Sequence, residues 1–436
     1  MKDRGEQVTK DLLEFVGIPS YHGNATAVLD AHAYLGERLL EVGFDVEHLG
    51  TPASPYLVGR LAGDPGRVLV VYLMYDVRAP TAIPPGSPGI RRLPKLGEVL
   101  WSPVPIGNKV ATLTFLAALA DHQAGSRQPS VVVLAEGAET LGSPGLQEFV
   151  RSRSELFQKA VGAFWPRESQ DAAGRAHLHL GYRGMLGIRL RVSGARFGHG
   201  PSGMAVHSQY RPWVDAPTWR LVQALTSLKD ADGWGSIQPR SLGDWSEVLS
   251  AYDPAGVLGE LGVRGEVSDS PVTLLERLEY RASLNLEFEA ALSAGVGQIQ
   301  PAATARLQFR LPPGVECRVI VDRVRRELTA AGFGDAETEV TYAMDGALTD
   351  PSGSLIRALE RVYEHFRIPV VRWPVALSTS PIVTFQSQLG IAVADGGIGR
   401  LHPVSGGEAV VIRRGASESL QDRIEFYART LRLLDN

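Results

Sequence analysis

Val68-Leu-Val-Val-Tyr-Leu-Met-Tyr-Asp-Val-Arg-Ala-Pro80 is the stretch whose reading decides the fold. Its apolar run, Val68 to Tyr75, is short, rich in β-branched and aromatic residues, and does not alternate. Such a run reads as a strand buried on both faces. It is too short to span a bilayer, which takes about 20 residues. The run ends in Asp76. In parallel sheets, ligands bind beyond the carboxyl ends of the strands, so this is where chemistry is expected. An Asp at a strand end also caps loops, and that plainer reading of Asp76 stands beside the first.

Working outward, residues 6–16 and 26–43 repeat apolar side chains at helical spacing. Segments 55–62 and 67–75 are β-like, and a helix pattern runs from Asn108 to about His122. The buried-strand run Ser130-Val-Val-Val-Leu-Ala135 follows, then a helix over 145–157 and a strand over 159–165. This alternation predicts an α/β domain with a mostly parallel sheet flanked by helices. The character changes near Gly184. Residues 185–193 alternate as an edge or half-exposed strand would. A helix is expected at 213–228, and 229–275, rich in Gly, Asp, Ser and Trp, reads as an irregular excursion. Strand 302–311, helix 316–331 and strand 336–343 complete a small α+β sandwich. The first pattern returns after Asp350, with helices at 352–365, 381–389 and 417–434 and a strand at 391–394. The expected domains are therefore 1–185 with 346–436, and an insertion at 186–345.

A length of 436 residues exceeds one ordinary core and fits this two-part plan. The 44 basic and 48 acidic residues nearly cancel, so no nucleic-acid partner is expected. The single cysteine, Cys317, excludes an internal disulfide and a thiolate metal site. That fits a reducing compartment. The N-terminal stretch Met1-Lys-Asp-Arg-Gly-Glu-Gln-Val-Thr9 lacks the apolar core of a signal peptide. A cytoplasmic protein without membrane partner is expected. Abundant Gly, Pro, Ala and Arg points to a high-GC bacterial gene.

Several motifs occur in a fixed order. They are Leu13-Glu-Phe-Val-Gly-Ile-Pro-Ser20, the strand at 68–80, Gly107-Asn-Lys109 and Ala135-Glu-Gly-Ala-Glu-Thr-Leu-Gly-Ser143. Gly181-Tyr-Arg-Gly184, Ser283-Leu-Asn-Leu286, Gln300-Pro-Ala302, Phe309-Arg-Leu-Pro-Pro-Gly314 and Ser380-Pro-Ile-Val-Thr-Phe385 follow. Together they resemble the dizinc peptidase and amidohydrolase family of carnosine dipeptidase, glutamate carboxypeptidase, acetylornithine deacetylase and succinyl-diaminopimelate desuccinylase. The carnosine dipeptidase branch is most similar, and the resemblance covers nearly the whole chain. It implies a zinc-peptidase-like α/β domain and an inserted lid that also dimerises.

The resemblance also implies five protein ligands for two zinc ions, and these are degenerate here. The first ligand His falls on Met74, a poor zinc donor. The bridging Asp falls on Gly107, and the second Glu of a Glu-Glu pair on Thr140. The fourth ligand, an Asp, belongs near Trp165-Pro166, where Glu168 is the nearest acid. The fifth, a His, aligns with His402. Zinc needs imidazole, thiolate or carboxylate donors, so neither metal nor other cofactor is expected.

Other positions retain the family's chemistry. Glu139 aligns with the general base and Asp76 with the carboxylate that orients the first His. Glu139 reads equally as a solvated Glu in a turn, or as an acidic partner for a helix N-terminus. Arg310 and Asn285 align with residues that bind a substrate carboxylate, a role suited to a guanidinium fork. Arg310 reads equally as a strand arginine paired with an acid. The lid histidine that polarises the scissile carbonyl is His199, one residue out of register, or else His207. Ser380 lies in a hydroxyl-bearing loop, Ser378-Thr-Ser-Pro381, that replaces the family's substrate loop. His177 and His179 read as structural. The resemblance places Glu139, Asp76, Arg310, Asn285 and one of the two lid histidines about one cleft.

Three functions compete. The first is a metal-independent enzyme acting on a small amino-acid or peptide-like substrate, with Glu139 as acid and base. The second is a non-catalytic homologue that binds a ligand or partner. The third is an ordinary dizinc dipeptidase. A serine hydrolase is excluded by the absence of a Gly-x-Ser-x-Gly elbow. A homodimer is expected through 186–345, with strand 185–193 as the pairing edge.

Overall fold

A computed structural model of the chain describes residues 2–79, 86–122, 129–228, 234, 245–260, 262–263, 269–289, 297–413 and 418–434. They cluster into two compact units. Unit 1 comprises Met1–Leu180, Leu348–Pro374 and Thr384–Asn436, and unit 2 comprises Gly181–Ala347 and Val375–Val383. Among the described residues, no helix is long and apolar enough to cross a membrane.

The strand Asp64–Met74 is the centre of unit 1. Its residues Val68 to Met74 are buried without alternation, because a sheet neighbour lies on each side and helices cover both faces. Pro129–Glu136 and Ala160–Pro166 flank it in parallel. Val393–Gly396 adds a further parallel strand beside Ala160–Pro166. On the other side, Ser54–Leu61 and then Asp45–Thr51 extend the six-stranded sheet antiparallel. The helix Gly107–His122 is apolar almost all round, and Val110, Thr114, Phe115, Ala118 and Leu119 are wholly buried. A helix of that kind needs partners on every side. Lys2–Gly17, Ala25–Val42 and Leu420–Leu434 pack around it. Ala25–Val42 starts at Asn24, whose side chain accepts from the Ala27 amide, and stops at Gly43 with φ 100°. That left-handed stop is the position glycine favours.

Unit 2 is built on a four-stranded antiparallel sheet in the order Ser283–Glu289, Ala302–Leu311, Gly184–Ser193, Glu337–Met344. One face carries Leu186, Ile188, Leu307 and Phe309 against the helices Pro217–Ser227 and Cys317–Ala330. The mostly parallel sheet with flanking helices, and the α+β sandwich, are as the sequence predicts.

Three expectations are corrected. Strand Gly184–Ser193 is the half-exposed strand of the two expected alternatives and not an edge, since it pairs on both sides: Met185 opposes Arg310 on one neighbour and Met344 on the other. Alternation reports that one face is covered and says nothing about how many neighbours a strand has. The edges are Ser283–Glu289 and Glu337–Met344. Second, 229–275 contains the helices Trp245–Ala251 and Pro254–Glu260 and the start of Pro271–Tyr280, while much of the rest lies outside the described residues. Ser270 and Pro271 are the N-cap and first residue of the last helix; the Ser270 hydroxyl accepts from the Thr273 amide. Ser and Pro there start a helix as well as they make a loop. Third, the helix at 145–157 is Leu146–Ser152 followed by a separate 3-10 turn, Ser154–Phe157.

Candidate functional site

In unit 1 four parallel strands end on one rim. Asp76 lies there, 1% exposed, just past Met74. Its Oδ1 accepts from the Glu139 amide at 3.2 Å. Its Oδ2 accepts from the Thr140 amide at 2.8 Å and the Thr140 hydroxyl at 2.7 Å. Asp76 thus caps the short 3-10 turn Glu139–Leu141, and both its oxygens are engaged. Burial raises its pKa, opposed by these hydrogen bonds from Thr140 and Glu139.

Glu139 opens that turn and is half-buried. Burial, then the neighbouring Asp76 charge, lift its pKa to about 7, while Arg78 pulls the other way. An acid titrating there can both take and give a proton at neutral pH.

Beneath it lies an acid to which the sequence reading gives no role. Glu136 ends its strand wholly buried, and its Oε1 accepts from the Tyr72 hydroxyl and from Ser143 Oγ at 2.8 Å. Its Oε2 has no partner among the described residues. Burial pushes it up to about 8, so it is mainly a neutral acid at pH 7. The available signal was a carboxylate closing an otherwise apolar strand run. Lys109, also buried, donates from Nζ to the carbonyls of Phe15 at 2.9 Å and Ile18 at 2.5 Å. Burial lowers it to about 7, opposed by Asp76.

The positions that the resemblance equates with metal ligands have these surroundings. Met74 is 2% exposed at the strand end. Gly107 begins its helix, and a Cβ there would lie 2.8 Å from Leu401 Cδ1 and 3.1 Å from Glu168 Oε2. Thr140 spends its hydroxyl proton on Asp76. Glu168 is ion-paired with Arg423 at 2.9 Å. His402 faces Glu418, with Nε2 3.2 Å from its Oε2. Among the described residues, no group of three or more His, Cys, Asp or Glu is arranged to hold a metal. Trp165 sits in register with Asp395, a buried acid that Arg167 and His179 engage at 3.0 and 3.1 Å. His177 accepts from Trp373 Nε1 at 3.1 Å.

In unit 2, Arg310 sits half-buried on the sheet face away from the helices. Other arginines of that face are paired with acids: Arg189 with Glu339 at 3.0 Å, Arg191 with Glu337 at 3.1 Å, Arg306 with Glu289 at 2.5 Å. Arg310 has no carboxylate partner among the described residues; its Nη1 donates to Thr379 Oγ1 at 2.9 Å. Ser380, next in the chain, is 1% exposed, and its hydroxyl has no hydrogen-bond partner among the described residues. Asn285 is exposed on the same sheet face, two residues from Ser283, which opposes Arg310. Arg183 Nη2 donates to the carbonyls of Arg281 at 2.8 Å and Arg310 at 2.9 Å, pinning the strand that carries Arg310. Burial, then the Arg310 charge, lower Arg183 to about 10. Nearby Glu279 is wholly buried and pushed by that burial to about 8, against the pull of the Val375 amide and Arg183.

His199 and His207 are both exposed. The His199 amide donates to Asp215 at 3.0 Å, and His207 Nδ1 accepts from the Gln209 amide at 3.2 Å. Among the described residues neither is hydrogen-bonded to Arg310, Asn285 or Ser380. The candidate residues therefore fall into an Asp76–Glu139 pair in unit 1 and an Arg310–Ser380–Asn285 set in unit 2, with His402 engaged by Glu418.

No family profile and no curated protein matches this chain in sequence. Solved structures do match in fold. The M20 family metallo-carboxypeptidase Sso-CP2 from Sulfolobus solfataricus gives a TM-score of 0.78 at 19% identity, with 98% of each chain covered. Human carnosine dipeptidase 1 gives 0.72 at 17% identity, covering 100% of this chain and 97% of that one. The Bacillus subtilis YXEP protein, described as a dinuclear metal binding peptidase of the M20 family, gives 0.56 at 10% identity, covering 100% and 98%. The chain has the fold of M20 metallopeptidases over its full length.

Proposed function

We propose that this chain binds a small amino-acid or peptide-like molecule by its carboxylate and acts on it without a two-metal centre, with Glu139 as acid and base. The observation that carries this reading is Arg310, a half-buried arginine with no carboxylate partner among the described residues, on a face where Arg189, Arg191 and Arg306 each have one. A guanidinium whose fork is engaged only by the Thr379 hydroxyl among the described residues suits a planar anion. The Thr379 hydroxyl, which accepts from Arg310, stands beside it, and Ser380 follows in the chain.

The donor set does not fit a pair of zinc ions. A thioether at 74, no side chain at 107 and a committed hydroxyl at 140 leave no imidazole or carboxylate where zinc would need them. Purified protein is expected to carry no stoichiometric zinc by elemental analysis; two tightly held metals per chain would overturn this part. The reaction must then be easier than hydrolysis of an unactivated amide by water, because no Lewis acid assists it. A ligand-binding homologue without catalysis is the second reading. It is favoured by Asp76, whose oxygens are used up in capping a turn.

The test is calorimetric binding of free-acid dipeptides and acyl amino acids against the same compounds with amidated C-termini. Free acids should bind and amides should not. Arg310→Ala should weaken free-acid binding roughly 10- to 150-fold, the loss of a charged hydrogen-bond partner worth ~1.5–3 kcal/mol. Equal binding of acids and amides, or no binding by any of them, sinks the reading.

The expected homodimer would pair through the edge strand Ser283–Glu289, where Leu286 and Phe288 are 41% and 61% exposed. Phe288→Glu should then shift the light-scattering mass from dimer to monomer; a wild-type monomer at micromolar concentration would dispose of the idea.

A further inference from the structure

The space in front of the helix Gly107–His122 is not empty. A Cβ at Gly107 would meet Leu401 and the Glu168 carboxylate. Glu168 reaches that place as one half of a buried ion pair: its side chain is 8% exposed and that of Arg423 2%. Arg423 comes from the C-terminal helix Leu420–Leu434. Its Nη1 donates to Glu168 Oε1 at 2.9 Å and its Nε to the Glu418 carbonyl at 3.2 Å. Gly399, at φ 83°, makes room for it, since any side chain there would collide with the guanidinium. Two glycines, one at each end of the pair, thus clear the volume it fills.

The other acids of this region have protein donors of their own. Glu418 faces His402 and accepts from the Arg400 amide, and Glu408 accepts from the Ile106 amide. Asp76 is satisfied by the Glu139–Thr140 turn. A carboxylate buried as deeply as Glu168 needs a cation, and a guanidinium keeps its charge at every ordinary pH.

We infer that the Arg423 guanidinium is the resident cation of this site, seated with Glu168 in the space where the resemblance places a metal-bridging aspartate. This rests on the metal-independent reading above and deepens it. The chain has exchanged a dissociable ion for a covalently attached one. A buried guanidinium beside Glu168 opposes a divalent metal by its charge. Arg423 then acts by holding Glu168 and the start of the 107 helix in place.

Four proteins test this, each full length: wild type, Arg423→Met, Arg423→Met/Glu168→Gln and Arg423→Lys. Urea unfolding at pH 7 reads whether Glu168 needs its cation. Arg423→Met, with Glu168 stripped of its cation, should unfold at a clearly lower urea concentration than the wild type. The double variant should recover most of that loss, because removing both charges removes the need. Arg423→Lys, which keeps a cation, should lose less than Arg423→Met. Arg423→Met as stable as the wild type, or a double variant no more stable than Arg423→Met, would overturn the inference. Wild type purified with two zinc ions would instead overturn the metal-independent reading itself, so the two failures are distinguishable.

Discussion

Glu136→Gln should raise stability at pH 9 by about 3–5 kcal/mol relative to wild type and change it little at pH 5. The carboxyl is wholly buried, with one oxygen accepting from Tyr72 and Ser143 and the other unpartnered among the described residues. Its pKa rises from 4.5 to about 8. An acid raised on folding binds more protons in the folded state than in the unfolded state between those two values. Stability contributed by this group is therefore whole below about pH 4.5 and is lost as pH climbs to about 8. A glutamine keeps the accepting oxygen, never ionises, and so escapes that loss. Lys109, lowered to about 7, works in the opposite sense over a higher window, and Glu279 works in the same sense as Glu136. The difference between variant and wild type is thus the quantity to measure, by urea unfolding at pH 5, 7 and 9. Parallel pH profiles would show that Glu136 is ionised in the folded protein and refute the argument.

Glu139→Gln should cost about 10²- to 10⁴-fold in turnover of whatever carboxylate-bearing amide the protein processes, and leave its dissociation constant within a few-fold. With a pKa near 7, set by burial and by Asp76, the group is poised to exchange protons at neutral pH. If it acts as a base, the rate should rise through about pH 7 in wild type, and that limb should vanish in the glutamine variant. Removing the Asp76 charge by Asp76→Asn should move the limb to lower pH, since that charge raises Glu139. Undiminished turnover by Glu139→Gln would pass the role to another residue. If no amide in a broad panel turns over while free acids bind through Arg310, the non-catalytic reading takes its place.

The resemblance left two readings open for Arg310, and only three-dimensional neighbours separate them. Glu337 and Glu339 are near Arg191 and Arg189 across strands, about 150 positions away in the chain. No local pattern announces which arginine will go without a carboxylate. Asp76 is similar: its two readings are decided by a turn 63 residues later, which supplies the Glu139 and Thr140 donors. Trp165 lacks the acid expected at its own position, yet Asp395 lies beside it on the next strand, already engaged by Arg167 and His179.

The sequence by itself determined the order of the main strands and helices outside 229–275 and the parallel centre of the large sheet. These follow from local periodicity, since a run such as Val68–Tyr75 can be buried in only one kind of place. It also determined that Met74, Gly107 and Thr140, the positions the resemblance equates with metal ligands, carry neither imidazole nor carboxylate. The tertiary structure alone decided which strands are edges, because alternation reveals a covered face but not the number of neighbours. It alone paired Glu168 with Arg423, 255 positions apart, across the gap that Gly107 and Gly399 leave. Charge compensation in a buried site depends on distances of about 3 Å, and those exist only after the chain has closed on itself.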